Sequence, residues 1–350
     1  MQTTGNRVLA WAIAAIAAGC SWGALAPLAR FEDPVFPGVH APTGAPVDLR
    51  FDRAMETGDE LAMTVAYTRT ARAGRTFSGD GVVQRERRAR LSCRLVVLGV
   101  NAQREPSLVE VLVSHAEVNN VDPEGYFAKA GDDEPAIPAI ADGTRATLSI
   151  SPESVGVQRV NNQPPDAPVA ALFVKMFSGS TLDALTGSVF GDVRARRLGE
   201  HWVVGTTAMP ASAGVRRVIS YNARLDWRGR HEGADSVRLI GWAISPEFTT
   251  GRVGEDMVRH RVVLERSLLA PIDGQRLPFV LRERRTVDAV GYATETVMFR
   301  NGGAMQERVP RAESLIELIE VSYGQFIPAP RSRPNPNRVE GGDGEGVATK

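Results

Sequence analysis

Along most of the chain, apolar and polar positions alternate with the period expected of strands that keep one face wet. Val47, Leu49 and Phe51 alternate with Asp48, Arg50 and Asp52, and Leu61, Met63, Val65 and Tyr67 run against Thr64, Thr68 and Thr70. The same signature predicts strands over 82–100, 108–118, 146–151, 154–160, 201–208, 215–227, 237–244 and 258–269, rich in β-branched residues and bounded by Gly, Pro, Asn or Asp. Asn301-Gly302-Gly303, between 294–300 and 304–309, supplies the positive-φ residues that a tight hairpin requires. A mainly β body of antiparallel strands follows.

One segment carries a helical period. Asp166 can cap it, Pro168 lies in its first turn, and Val169, Leu172, Phe173, Met176 and Phe177 fall at i, i+3, i+4, i+7 and i+8 before Ser178-Gly179. Its other side holds Ala170, Ala171 and Val174, with Lys175 the only charge, so the helix 167–177 must be covered on most sides. The expected fold is a strongly curved antiparallel sheet, as a half-barrel or as two related β lobes, packed on one apolar helix. It occupies 47–327. Pro123, Pro135, Pro138 and Asp132-Asp133-Glu134 mark 122–145 as a long loop dividing lobes 47–145 and 146–327. Ser314-Leu315-Ile316-Glu317 has the form of a capping box and Val321-Ser322-Tyr323 that of a strand, so both readings stay open there. The Pro-, Arg- and Gly-rich stretch 328–350 is expected to be disordered.

The N-terminus departs from this pattern. Val8 to Ala29 carries no charge and follows Arg7, the basic and apolar regions of an export signal. Its uninterrupted apolar part ends at Ala18; at about 1.5 Å per residue it covers about half of a ~30 Å hydrocarbon layer. Ala17-Ala18-Gly19-Cys20 resembles the lipobox of bacterial lipoproteins, which implies acylation of Cys20. With Ser21 next, the same resemblance implies sorting to the outer membrane. An uncleaved anchor and simple cleavage after Ala26 remain the other two outcomes for 1–26. Pro27, Pro34, Pro37, Pro42 and Pro46 then suit 27–46 to an extended tether.

Cys20 and Cys93 are the only cysteines, which excludes a disulfide framework and cysteine-rich metal sites. Leu91, Cys93, Leu95 and Val97 share one strand face, so Cys93 reads as a small buried hydrophobe. The histidines are His40, His115, His201, His231 and His260, and no metalloprotease, nucleophile-elbow or P-loop pattern accompanies any of them. No cofactor and no metal are expected.

Composition narrows the partners. Of 350 residues, 41 are Lys or Arg and 41 Asp or Glu, a balance that offers nucleic acid no electrostatic footprint. Only Lys129, Lys175 and Lys350 are lysines, so the basic residues are overwhelmingly arginines. Guanidinium forks suit carboxylates and phosphates. Here they are scattered along the sequence, which reads as compositional bias.

The leader, the Tyr-bearing strands, Gly187-Ser188-Val189-Phe190-Gly191 and Leu198-Gly199-Glu200-His201-Trp202 together resemble uncharacterised exported bacterial β-rich proteins of the domain-of-unknown-function kind. More loosely, an apolar helix beside a bent sheet is similar to the lipoprotein-carrier and lipid-binding half-barrels of the cell envelope. The resemblance implies a non-catalytic binding or scaffold protein, held to a membrane by its N-terminus on the periplasmic side. Its partner would be a lipid or an envelope protein. Leu172, Phe173, Met176 and Phe177 would line an apolar groove for a lipid or a hydrophobic segment, or else fill the core. The alternative is an envelope hydrolase, which needs at least two of His115, His201, His231 and His260 close to each other and to an acid.

Overall fold

The computed structural model describes residues 41–49, 54–74, 83–121, 136–151, 154–186, 188–190, 195–212, 215–250, 258–273, 276–298 and 303–330. Cys20 and the leader, most of the expected tether, the acidic trio at 132–134, the Asn301-Gly302 turn and the stretch from 331 onward lie outside these residues.

Among the described residues, twelve strands form a single antiparallel sheet. In chain order, β1 (Thr43–Val47) begins inside the expected tether, and β2 (Glu60–Gly74), β3 (Val83–Val100), β4 (Pro106–Val121), β5 (Arg145–Ile150) and β6 (Val155–Val160) step outward to one sheet edge. The chain then crosses through two helices, α1 (Ala167–Met176) and α2 (Gly179–Thr186), and a 3-10 turn at Ser188–Phe190. After β7 (Arg196–Leu198), which pairs only with β1, it re-enters the sheet at the opposite edge. From there β8 (His201–Ser212), β9 (Val215–His231), β10 (Ala234–Ile244), β12 (Val258–Pro271), β13 (Val280–Met298) and β14 (Ala304–Ile327) step back until β14 pairs with β2. The remaining strand, β11 (Phe248–Thr250), adds to β12.

The sheet stays open, with β6 and β8 as its edges. Both edges are blunted. β6 is six residues long, and its last residue, Val160, bridges to Gln163. β8 contains Pro210, and its register shifts between Val203 and Gly205 and again between Pro210 and Ser212. Proline and bulges spoil an edge as a template for a further strand.

Alternation places the core. Leu61, Met63, Val65 and Tyr67 of β2 and Ala89, Leu91, Cys93, Leu95 and Val97 of β3 are all buried. They share one cluster with Leu239, Leu268, Leu281 and Val321 from the other wing and with Leu172, Phe173, Met176, Phe177 and Leu185 from the helical crossing. β5, which spans 145/146, pairs with both β4 and β6.

The open stretch is settled and the helical segment is extended. The stretch 314–323 is strand, with β13 and β14 in unbroken register from Val280 opposite Ser322 to Met298 opposite Ala304. Its capping-box residues are spent on cross-strand bonds: the Ser314 hydroxyl donates to Asp288 Oδ1 at 2.8 Å, and Glu317 accepts from neighbouring elements. Ser178-Gly179 ends α1 as expected, but helix resumes at Gly179 and buries Leu182 and Leu185. The Thr181 hydroxyl caps the break by donating to the Met176 carbonyl at 3.1 Å, and the Tyr323 hydroxyl donates to the Thr181 carbonyl at 2.8 Å. Among the described residues, no helix is long and apolar enough to cross a membrane.

Candidate binding site

On β3 the alternation that buries Val97, Leu95, Cys93, Leu91 and Ala89 continues without a break to Arg87 and Arg85, which are 8% and 4% exposed. The inner face of the strand therefore changes from apolar to cationic while its geometry stays the same. Register extends the change sideways. Arg87 lies opposite Arg69 of β2, Arg69 opposite Glu317 of β14, and Glu317 opposite Arg285 of β13. Residues directly opposite hold their Cβ atoms about 4.5–5.5 Å apart, and like charges so placed repel. The row thus carries three guanidiniums to one carboxylate.

Glu317 is the hub. Its Oε1 accepts from the Tyr67 hydroxyl at 2.9 Å and from the Lys175 ammonium at 2.7 Å, and its Oε2 lies 3.7 Å from the Arg285 guanidinium. Burial works against the Glu317 carboxylate, but the bonds from Lys175 and Tyr67 and the charge of Arg285 outweigh it and hold its pKa below the ordinary range. Burial first, then the adjacent carboxylate, pushes the Tyr67 hydroxyl well above its usual value, so it stays a neutral donor. Lys175, the one charge of α1, also donates to the Tyr67 oxygen at 3.3 Å, tying the helix to the sheet seam.

Between these groups lies a pocket of about 120 Å³. One wall is the stripe Pro168, Ala171, Leu172 and Lys175, spaced i, i+3, i+4 and i+7 on α1; the facing wall is Tyr67, Arg69 and Arg87. Ala136, Ile137 and Pro138 form the third side. Asn120 of β4 fixes that side from both ends, donating to the Ile137 carbonyl at 3.2 Å and accepting from the Ile137 N–H at 3.1 Å. Apolar and cationic surfaces thus meet across a gap smaller than the roughly 300 Å³ of a drug-sized site.

The four residues expected to line a groove divide. Phe173, Met176 and Phe177 have no exposed surface, and the rings of Phe173 and Phe177 stack at 5.9 Å inside the core. A side chain with zero accessible surface borders no space that admits even a water, so these three fill the core. Leu172, 4% exposed, borders the pocket with its outer side. The structure therefore moves the hollow beside α1 from its aromatic face to the flank that carries Lys175. Cys20 lies outside the described residues. Cys93 is buried with its Sγ 3.6 Å from the Met63 carbonyl, and burial pushes the thiol up to about 12.

The histidines sit on separate strands with separate partners. His115 of β4 is 3.5 Å from Asp142, His201 of β8 meets Trp242 edge-on, His231 of β9 meets Phe279 edge-on, and His260 of β12 stacks on Phe248. Burial lowers the pKa of His201, helped by Arg224, and burial also lowers that of His260 against the opposing pull of Glu313. Among the described residues, no three of His, Cys, Asp and Glu come together in a group that could hold a metal ion.

No protein-family model and no curated protein matches the chain. Among solved structures, a lipovitellin structure concerned with lipid–protein interactions is similar over 80% of this chain and 26% of its own, at 7% identity and a TM-score of 0.39. This chain thus spans about a quarter of that one. OpdQ of Pseudomonas aeruginosa covers 78% of this chain and 99% of its own at 6% identity and a TM-score of 0.17. The toluene transporter TodX of P. putida covers 77% and 91% at 9% identity and a TM-score of 0.13. All three scores are weak.

Proposed function

We propose that this protein is an exported, membrane-anchored component of the cell envelope with a non-catalytic role in binding or scaffolding. Its site is the pocket between α1 and the β2–β3 wall, and its ligand is part of a lipid or of a hydrophobic partner segment. The observation that carries the reading is the apolar side of that pocket, where Ile137, Pro138, Pro168, Ala171 and Leu172 converge. Export rests on the uncharged leader from Val8 to Ala29, and anchoring rests on Cys20.

The test is native mass spectrometry of the full chain purified from envelopes, beside an Ala171→Trp variant. Ala171 is exposed on the pocket flank of α1, so an indole there fills the gap without entering the core. A lipid-sized adduct on the parent chain that is lost in the variant is the expected result. No adduct on either chain, or the same adduct on both, overturns the assignment. The mass of the mature N-terminus tests the anchoring separately, with an acylated Cys20 expected and a retained Met1 in cytosolic material contradicting it.

A further inference from the structure

We propose that the outer face of β8–β10 lies against the membrane surface, as a second, apolar contact that orients the anchored body; the inference rests on the anchoring proposed above. The face turned away from the helices should be polar in a sheet with one wet side, and on β3 it is, with Glu86, Arg88, Arg90, Ser92 and Arg94 pointing out. β10 breaks this rule. Its inward residues Val237, Leu239 and Ala243 are buried, yet the alternate positions hold Ile240, Trp242 and Ile244, the last 37% exposed. Register adds the neighbours: Trp242 lies opposite Asn222 of β9, and Asn222 opposite Val203 of β8, which is 62% exposed. Val218, two outward positions along β9 from Asn222, is 64% exposed, and the residues between them on this face are the uncharged Ser220 and Asn222. Single exposed apolar side chains are ordinary, but several sharing one face within a charged rim mark an interaction surface. The rim here is the Arg238–Asp226 pair at one end and the Arg259–Glu247 pair at the other.

Where the chain enters the body points to the occupant. β1, the first described strand, pairs with β7, Thr43 opposite Leu198, and β7 ends three residues before His201 opens β8. The body therefore begins beside the sheet edge that carries Val203. From Cys20 to Thr43 the chain reaches roughly 80 Å when fully extended, so an anchor at Cys20 holds this face near the bilayer and makes its contact intramolecular. A few apolar side chains, too weak to hold a free protein on a membrane, then suffice as the second of two signals. The helices and the core lie on the other side, so this face is the outside of the bend, a shape that meets a plane more readily than it encloses a partner helix. Trp242 suits the boundary, because an indole sets an apolar body beside a polar N–H. A second copy added along β8 fits less well, since Pro210 and two register shifts spoil that edge for pairing.

The experiment places the photoreactive residue p-benzoylphenylalanine in the full chain, one site at a time, at Val203, at Val218 and, as a control on the wet face of β3, at Arg90. Each chain is reconstituted in vesicles of phosphatidylethanolamine and phosphatidylglycerol and irradiated, and mass spectrometry of its peptides measures the lipid adducts. The expected result is at least tenfold more lipid adduct at Val203 and Val218 than at Arg90. Both valines are more than half exposed, so the probe enters without disturbing the core, and each chain is used once its thermal unfolding shows a cooperative transition. As a second measurement, Val218→Asp should lower the lipid adducts of a probe at Ile244 at least threefold, because a carboxylate resists leaving water. Equal adducts at all three sites, or none at any, overturn the docking face, and the anchoring stands if the chain still floats with the vesicles. Crosslinks from Val203 and Val218 to protein in place of lipid, whether a second copy or the chain's own leader, overturn the bilayer as the occupant. A chain that neither floats nor carries an acyl group overturns the anchoring and this inference with it.

Discussion

The two ends of β2 and β3 show the same backbone doing different things. Toward one end, Leu61, Val65, Leu91 and Leu95 turn inward with no exposed surface and meet the helices and the far wing. Toward the other end, Tyr67, Arg69, Arg87 and Arg85 occupy inward positions of the same alternation, and Glu317 and Lys175 join them from β14 and α1. The apolar end needs only complementary shape, and the surrounding sheet and helices supply it. At the charged end every buried polar group must find a partner, which restricts where its side chain can point. That is where the gap opens.

The largest expected effect comes from breaking the apolar end. Phe173 is fully buried and stacked on Phe177, so Phe173→Ala removes a ring from the middle of the cluster and leaves a void that a twelve-stranded sheet cannot collapse around. The cost should be about 3–5 kcal/mol, read as a lower midpoint in urea unfolding. A loss under about 1 kcal/mol would mean that the helix contributes little to the core.

The next effect comes from the hub of the charged end. Glu317→Gln keeps a hydrogen-bond acceptor but removes the carboxylate that Lys175 and Arg285 meet and that lies opposite Arg69, and should cost about 1–3 kcal/mol near neutral pH. The sign of the pH dependence follows from the lowered pKa of Glu317. A carboxyl whose folded pKa is depressed stabilises the fold above its unfolded value, roughly pH 4, and that contribution fades as pH falls through the folded pKa. Parent and variant should therefore differ most near pH 7 and converge in acid. A difference independent of pH would show that shape, not charge, holds the seam.

Much of this could be read before the fold was known, and the residue pattern explains which parts. Strand alternation and the helical period at Val169, Leu172, Phe173 and Met176 are local, and the sheet and α1 follow them within a few residues. The second helix was hidden because Ser178-Gly179 is a genuine break, and only Leu182 and Leu185, one turn apart, hint that helix resumes. Segment 314–323 carries Glu, Ser and Leu that suit either state, and tertiary pairing with β2 and β13 decided it. The pocket was half visible. Arg85 and Arg87 lie on the inward parity of β3, and Lys175 is the sole charge of α1, so each departs from its own element's rule. What could not be read is register: Arg69, Arg87, Glu317 and Arg285 are scattered over more than two hundred positions, and only the meander's pairing brings them into one row. Arginines that look like compositional bias in sequence stand in one row of the sheet.

The smallest effect sharpens the comparison most. Lys175 is 43% exposed in its side chain while Glu317 is 17% exposed, so the ion pair has one wet and one dry partner. Lys175→Gln should cost no more than about 1 kcal/mol, because a half-solvated ammonium regains water when its partner is lost. The informative quantity is the coupling in a double-mutant cycle with Glu317→Gln, read from urea unfolding at low and high salt. If Lys175 acts through Glu317, the lysine change should be nearly silent once the carboxylate is gone, and the coupling should weaken with added salt to the extent that the pair is open to water. Equal costs of Lys175→Gln in both backgrounds would instead place its contribution in the methylene stem packed along the pocket flank. In that case the charged end of the sheet would be held together by the strands alone, and α1 would belong wholly to the apolar end.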